Sequence, residues 1–428
     1  MIARGKFVVI GLLLLAALCG GPTRPQQPAT VDLGLALTPP MGWDSYNAYG
    51  RRATATDLEA QAAALVASGM KAAGYSYVNL DGGWTLRRRD AHGRLQVNRQ
   101  KFPHGIAPVV DYVHSLGLKF GIYASLGKTN CAGSGAGSWG HYRQDVRTFA
   151  RWHVDFVKVD WCAVPRKRFP GLTGAQVAQR VFEQFGRALE AAGRPMAYSL
   201  STNHPGLVAW AWASTVGNMW RTNGDIHATY ARMRANFIAN AGRYAIAGPG
   251  RWNDPDMLEV GNGRLTPTES RTNFSLWAEM AAPLIAGNDL TRMSSTTRRI
   301  LTNRAVIAVN QDRLGQQGRV VARRGGHWIL TKPLASGARA IVLFNDTAKP
   351  AVISTSARTV GLPSARRYGV DDLWTHLVTS TAGRIVARVA PHAVAMLKLS
   401  PMPDAPGSAR PSGRQRPPSD LGLAPASR

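Results

Sequence analysis

Between about residue 40 and residue 290 the apolar positions of this chain keep changing period. Short runs rich in Val, Ile, Phe and Tyr alternate with longer stretches whose apolar residues recur every three or four positions. The first kind predicts strands and the second predicts amphipathic helices. Residues 155–162, Asp-Phe-Val-Lys-Val-Asp-Trp-Cys, form the clearest strand signal. Phe156, Val157 and Val159 are types that strands favour. Lys158 and Asp160 sit two apart, so period 2 puts both on one strand face. A charged pair inside an apolar strand needs partners or a function. It reads as a core ion pair, or as a carboxylate at the end of a barrel strand held ionised by the lysine.

Eight strands are expected in all: 41–47, 75–81, 119–125, 155–162, 196–201, 215–221, one within 244–257, and 283–289. Helices are expected between them. One starts at Thr56 as N-cap and carries Leu58, Ala62 and Leu65. A second carries Ile106, Val109, Val110 and Val113 and stops at Gly117. Others cover 141–152, 173–192 and 273–280. Strands that alternate with helices pair in parallel through right-handed crossovers. The expected fold is therefore α/β, a (β/α)8 TIM barrel over 36–318. A doubly wound open sheet is the alternative. Polar residues recur at the ends of nearly every strand (Asp81, Asp160, Arg221, Asp225, Asp256), and a barrel brings such ends to one mouth. After Asp312 the texture becomes short and β-rich, with runs at 327–332, 338–345 and 384–399. These predict a small C-terminal antiparallel β-sandwich over 319–400. Residues 401–428 hold seven prolines and few large apolar side chains, which predicts a disordered tail.

The N-terminus has a different pattern. Arg4 and Lys6 precede an apolar run over 7–18, then small residues and Pro22. Residues 1–25 read as a signal peptide, which predicts a secreted or periplasmic protein. The run is short for a membrane span, so no stable span is expected after processing. A membrane-anchored N-terminus is the runner-up. Cys19 would permit a lipoprotein, although Leu18 is a poor residue before a lipidated cysteine. Two cysteines then remain, Cys131 and Cys162, which read as one disulfide or as two buried thiols. No clustered histidine or further sulfur suggests a metal, and no cofactor is expected. The formal net charge is +27, from 52 Lys and Arg against 25 Asp and Glu in 428 residues. The arginines look scattered, as in Arg87-Arg88-Arg89, with no basic helix, zinc pattern or aromatic RNA-binding motif. General surface basicity is expected rather than nucleic-acid binding.

A mouth lined by carboxylates, a lysine, an arginine and aromatics suits glycoside hydrolysis, which needs two carboxyl groups flanking the anomeric carbon. Asp160 suits the ionised role, because Lys158 on the same face lowers its pKa. Asp225 suits the protonated role, with Arg221 to orient it or the sugar. A helix cap before Ile226 is the alternative for Asp225. Trp43, Tyr46, Trp84, Tyr123 and Trp220 either stack on sugar faces or fill the core. Asn253-Asp254-Pro255-Asp256 either joins the site or is a plain Asp-Pro turn.

Seven segments also resemble a known family in order and spacing across residues 36–318. They are residues 39–47 (Pro-Pro-Met-Gly-Trp-Asp-Ser-Tyr-Asn), 77–81 (Tyr-Val-Asn-Leu-Asp), 120–123 (Phe-Gly-Ile-Tyr), 158–162 (Lys-Val-Asp-Trp-Cys), Trp220-Arg221 through Asp225-Ile226, 252–258 (Trp-Asn-Asp-Pro-Asp-Met-Leu) and Ala281-Ala282-Pro283-Leu284 through Asn288-Asp289-Leu290. As a set they resemble the clan D α-galactosidases of glycoside hydrolase family 27. The resemblance implies a retaining double displacement that removes terminal α-D-galactosyl residues from oligosaccharides or polysaccharides. It implies Asp160 as nucleophile and Asp225 as acid/base. Lys158, Arg221, Asp81, Tyr123 and Asp256 would contact the glycone, and Tyr46 would be an aromatic platform. Cys131 and Cys162 sit where the family has a disulfide beside the nucleophile. Two departures stand out. The family ends its second strand with two adjacent aspartates, and here Gly82 follows Asp81. After the fifth strand its galactosidases often carry a Cys-Glu element, and here the residues are Ser201, Thr202, Asn203 and His204. These departures leave open the other glycones of the family, β-L-arabinopyranosides or the isomaltose units of dextran. A sugar-binding protein without catalysis is a remoter alternative.

Overall fold

The structure is a computed structural model that describes residues 34–202 and 204–403. The expected signal peptide, Cys19, Asn203 and nearly all of the expected tail lie outside the described residues.

Eight parallel strands form one curled sheet: β1 (Met41–Asp44), β2 (Tyr77–Leu80), β3 (Lys119–Ser125), β4 (Phe156–Asp160), β5 (Ala197–Ser201), β6 (Met219–Arg221), β7 (Trp252–Asp254) and β8 (Leu284–Ala286). Neighbours in sequence are neighbours in space, and β8 pairs with β1. The ring closes just beyond β7. There Leu258 bridges to Ala286 and its N–H donates to the Ile285 carbonyl at 2.8 Å. The fold is a TIM barrel.

Period 2 sorts each strand between lumen and outer wall. On β4, Phe156 joins Tyr77, Ala197, Met219 and Trp252 in an apolar plug inside the barrel. Val157 and Val159 point the other way, into the layer packed by helices. Lys158 and Asp160 follow Phe156 up the lumen, so one alternating strand builds both core and site.

Helices α1 (Tyr46–Tyr49), α2 (Ala55–Ala67), α3 (Ala107–Ser115), α4 (Tyr142–Arg151), α5 (Gly174–Glu190), α6 (Tyr230–Ala241), α7 (Pro267–Glu279), α8 (Ser295–Leu301) and α9 (Arg304–Asn310) complete this half. Capping boxes start three of them: Thr54 with Asp57, Thr173 with Gln176, and Thr266 with Glu269. The first corrects the expected cap. Thr54 rather than Thr56 accepts the N–H of residue 57, and Asp57 bonds back to the Thr54 N–H at 2.9 Å. The sequence pattern also passed over α6, whose apolar face is narrow. Met233, Phe237 and Ala241 are its buried apolar residues, beside two buried asparagines. β5 connects to β6 through short 3-10 turns rather than a helix. β6 begins at Met219, later than the expected 215.

The second half is richer in strands than the sequence suggested: β9 (Arg319–Arg324), β10 (His327–Pro333), β11 (Arg339–Asn345), β12 (Ala351–Ser356), β13 (Tyr368–Asp372), β14 (Val378–Thr381), β15 (Arg384–Val389) and β16 (Val394–Pro401). The expected single run over 384–399 is two strands in different sheets. Six strands form one antiparallel sheet in the order β14-β13-β16-β11-β10-β9, and β12 pairs with β15 in a second. Ile341 and Leu343 of β11 pack against Ile353, Ile385 and Val389 of the small sheet. Ala340, Val342 and Phe344 face the barrel. Burial on both faces is why 340–344 is an unbroken apolar run. Phe237 on α6 fills this seam, with its ring 5.3 Å from Trp328 and 5.7 Å from Phe344. Glu279 of α7 and Lys332 of β10 are fully buried in the same seam. Burial pushes the glutamate's pKa up and the lysine's down, each opposed by the other's charge.

The seam should carry global stability. Phe237→Ala is expected to lower the unfolding free energy by about 3–5 kcal/mol, and Val378→Ala at an exposed site by about 0.5 kcal/mol or less. Urea unfolding curves of both variants check this.

Candidate active site

The C-terminal ends of the strands surround a cavity of about 600 Å³. Tyr46, Asp81, Tyr123, Lys158, Asp160, Arg221, Asp225, Asp256, Cys131 and Cys162 all line it. These are the ten residues to which the resemblance assigned a catalytic, glycone-binding or disulfide role, drawn from positions up to 210 apart in the chain.

Asp160 ends β4 and reaches the cavity from below. The hydroxyls of Ser201 and Tyr123 are close enough to its carboxylate to favour the charged form in part, and the Tyr123 hydroxyl also lies 3.8 Å from Cys131 Sγ. Cys131 and Cys162 are joined in a disulfide, and Cys131 Sγ lies 3.0 Å from Asp160 Oδ2. The two sulfurs and the carboxylate are close enough together to suggest a metal site. The disulfide removes both thiolates, so these groups are unsuited to bind one.

The electrostatics depart from the expectation. Lys158 was expected to hold Asp160 below the usual carboxylate range. Instead its ammonium bonds Asp81 Oδ2 at 2.6 Å. Burial raises the Asp160 pKa, and the attraction of Lys158 opposes that only in part. Burial alone would lower the Lys158 pKa. Asp81, then Asp44, Asp160 and Asp256, override it and hold the ammonium well above its ordinary value. The lysine therefore serves a ring of carboxylates rather than Asp160 alone.

Arg221 is buried and bridges two acids. One of its terminal nitrogens lies 2.8 Å from Asp256 Oδ2 and 3.2 Å from Asp225 Oδ1. Asp256 has φ +79°, rare for a residue with a side chain. The strain is locked by three bonds: its N–H to Asp254 Oδ1, the Ile226 N–H to its Oδ2, and the Trp277 indole to its carbonyl. Residues 253–256 are thus an Asp-Pro turn and part of the site at once. Asp225 caps no helix, since Thr229 is the N-cap of α6. Its side chain is 56% exposed at the mouth. Trp43, Trp84 and Trp220 are core residues with no face to the cavity, whereas Tyr46 is 44% exposed above it.

Both departures fall at the cavity. Gly82 lines it, and a Cβ there would sit 3.6 Å from the Tyr123 ring, in ordinary contact. The position has room for a side chain and carries none. Ser201 serves Asp160, and Thr202 Oγ1 donates to the Arg221 carbonyl at 2.9 Å.

Sequence reasoning missed two buried acids. Asp44 ends β1 and accepts the Tyr46 N–H at 2.9 Å. Burial pushes its pKa up to about 7. Glu259 accepts from the side-chain amides of Asn47 and Asn262, and burial pushes it up to about 7 as well. Neither sits in a strand-end pattern strong enough to mark it. For Asp44 the signal was period 2 from Gly42, which puts it on the lumen face.

A family described as "Alpha galactosidase A" matches residues 38–312, and its "C-terminal beta sandwich domain" matches residues 324–399. This chain belongs to that family. The alpha-galactosidase of Cyamopsis tetragonoloba is 40% identical over 93% of this chain and 98% of its own length. Alpha-galactosidase A of Cellvibrio japonicus is 39% identical over 92% and 99%. Alpha-galactosidase I of Mortierella vinacea superposes with a TM-score of 0.82 at 33% identity, covering 86% of this chain and 98% of that one. As a family member the chain is a glycoside hydrolase.

The raised Asp44 pKa has a signed consequence. Between about pH 4 and about pH 7 the folded protein keeps a proton that the unfolded chain has lost, so this group makes stability fall as pH rises. Asp44→Asn is expected to flatten that fall by up to about 4 kcal/mol across the window. Urea midpoints of both proteins across this range check it.

Proposed function

We propose that this chain is a retaining exo-α-galactosidase, with Asp160 as nucleophile and Asp225 as acid/base. The observation that carries the roles is the contrast between two carboxylates of one cavity. Asp160 is enclosed at the end of β4, with Lys158 and the Ser201 and Tyr123 hydroxyls near its carboxylate, while Asp225 sits at the open mouth against Arg221. The activity of the relatives supports the glycone.

In the first step Asp160 attacks the anomeric carbon while Asp225 gives its proton to the glycosidic oxygen, and the bond to the leaving group breaks. In the second step Asp225 takes a proton from water. The resulting nucleophile displaces Asp160 and regenerates both groups. The Lys158–Asp81 and Arg221–Asp256 pairs present fixed donors and acceptors to sugar hydroxyls below the mouth. Tyr46 and Tyr123 offer ring faces. Two carboxyl groups perform both steps, so no cofactor enters. The substrate is an oligosaccharide or polysaccharide with a terminal galactose that fits a closed-bottomed pocket. We also propose export, on the basic and apolar pattern of residues 4–18 and a disulfide suited to an oxidising compartment. No helix among the described residues is long and apolar enough to cross a membrane.

The test pairs kinetics with stereochemistry. Asp160→Asn is expected to lose about four orders of magnitude or more in kcat with unchanged circular dichroism. Asp225→Asn is expected to lose about 10²–10⁴ in kcat/KM on raffinose and much less in kcat/KM on an aryl α-galactoside, whose leaving group needs little protonation in the first step. Proton NMR should show the α-anomer released first. Near-normal turnover by Asp160→Asn, or a wild-type preference for aryl β-L-arabinopyranoside or α-D-glucoside, would overturn the reading.

A further inference from the structure

In the sequence the arginines look scattered and no helix looks basic. The fold gathers several of them. Arg143, Arg147 and Arg151 are spaced by four on α4, so they form one stripe, and all three are exposed. Arg187 of α5 faces them, and Arg94 and Arg168 come in from the loops after β2 and β4. Together these residues line a groove of about 1140 Å³ on the outer wall of the barrel, and among the described residues no Asp or Glu lines it. A second hollow of about 520 Å³ shares Arg147 and Arg151 and runs on to Arg194.

Little in the fold neutralises this stripe. The acid of α4, Asp145, is turned inward and bound by Arg89 at 2.6 Å. Arg187 meets Glu183 only at 3.9 Å, with the arginine side chain 62% exposed. Like charges spaced by four on a helix repel and cost stability. Their repulsion is relieved by a bound polyanion.

We propose that this groove binds an acidic polysaccharide, a chain bearing uronate carboxylates. Planar guanidinium groups match carboxylates two bonds at a time. Trp139, half-buried against Tyr142 and Phe169, lines the groove as a surface for a sugar ring. The groove and the active-site cavity draw on the same two loops. The loop that carries Trp139 carries Cys131 at the catalytic cavity, and the loop that carries Arg168 carries Cys162. Nucleic acid fits less well, because single-strand binding surfaces stack several bases on exposed rings and this groove's Trp139, His141 and Tyr142 are all partly buried. The proposal stands whichever glycosidic bond the cavity cleaves, because binding alone reads it.

The test measures retention of the full-length protein by polygalacturonate in affinity electrophoresis, against neutral galactomannan and single-stranded DNA. R143A/R147A/R151A is expected to weaken polygalacturonate binding about tenfold or more and to flatten its salt dependence. R319A/R324A/R384A removes the same charge from exposed sites on the C-terminal sheets and is expected to change binding less than about twofold. Both variants should keep the wild-type rate on an aryl α-galactoside. Equal weakening by the two variants would reduce the effect to net charge and overturn the site. So would no retention by polygalacturonate at low salt, or tighter arginine-dependent binding of DNA.

Discussion

The constraint on which the rest depends is a charge imbalance inside the barrel. Asp44, Asp81, Asp160, Asp254 and Asp256 share one polar lumen with two cations, Lys158 and Arg221. Each cation has one direct partner inside, Asp81 for the lysine and Asp256 for the arginine. The remaining carboxylates feel burial and one another's charge. Burial takes Asp254 up to about 6 and Asp44 to about 7, and it raises Asp160 too. Burial and mutual repulsion make full ionisation of such a cluster costly, and Asp44 and Asp254 hold their protons to higher pH than a free aspartate does. The lysine on β4 offsets part of that negative charge, and the ionisation of Asp160 depends on the whole ring.

That cluster is held where it is by ordinary barrel packing. The plug of Tyr77, Phe156, Ala197, Met219 and Trp252 closes the lumen below, so the polar residues above it have one exit. Gly121 matters here for space alone. A Cβ on it would sit 2.0 Å from Asn79 Oδ1, so the glycine lets the Asn79 side chain cross between β2 and β3. At the top, the strained Asp256 is fixed by bonds from three different segments, which spreads the cost of its φ over a rigid surround.

The C-terminal sheets contribute no lining residue to the catalytic cavity. They cover α6 and α7, the helices that follow the β6 and β7 loops with Asp225 and Asp256. Phe237, Trp328 and Phe344 interlock across the seam, and the Trp374 indole donates to Ser275 Oγ at 3.0 Å. Their effect on the site is to hold those helices in place. No residue of those sheets lines the groove along α4 and α5, where the arginines collect.

The sequence by itself determined the alternation of strand and helix, the lumen face of β4 and the strand-end acids. Period 2 and the carboxylate positions are local properties, so Lys158, Asp160 and Asp81 could be read from spacing alone. The family motifs picked Tyr46 out of the candidate aromatics and added the likeness in mechanism. What only tertiary structure decided involves distance along the chain. Lys158 chose Asp81 over its own neighbour, because β2 brings that carboxylate to 2.6 Å. Ser201 became a partner of Asp160 because β5 pairs beside β4 in register. The split of 384–399 into two sheets was hidden, since both strands alternate alike. The arginine groove was hidden for the same reason: residues 94, 147, 168 and 187 become one surface only after the helices pack. Sequence records which face a side chain takes, and the meeting of faces requires the fold.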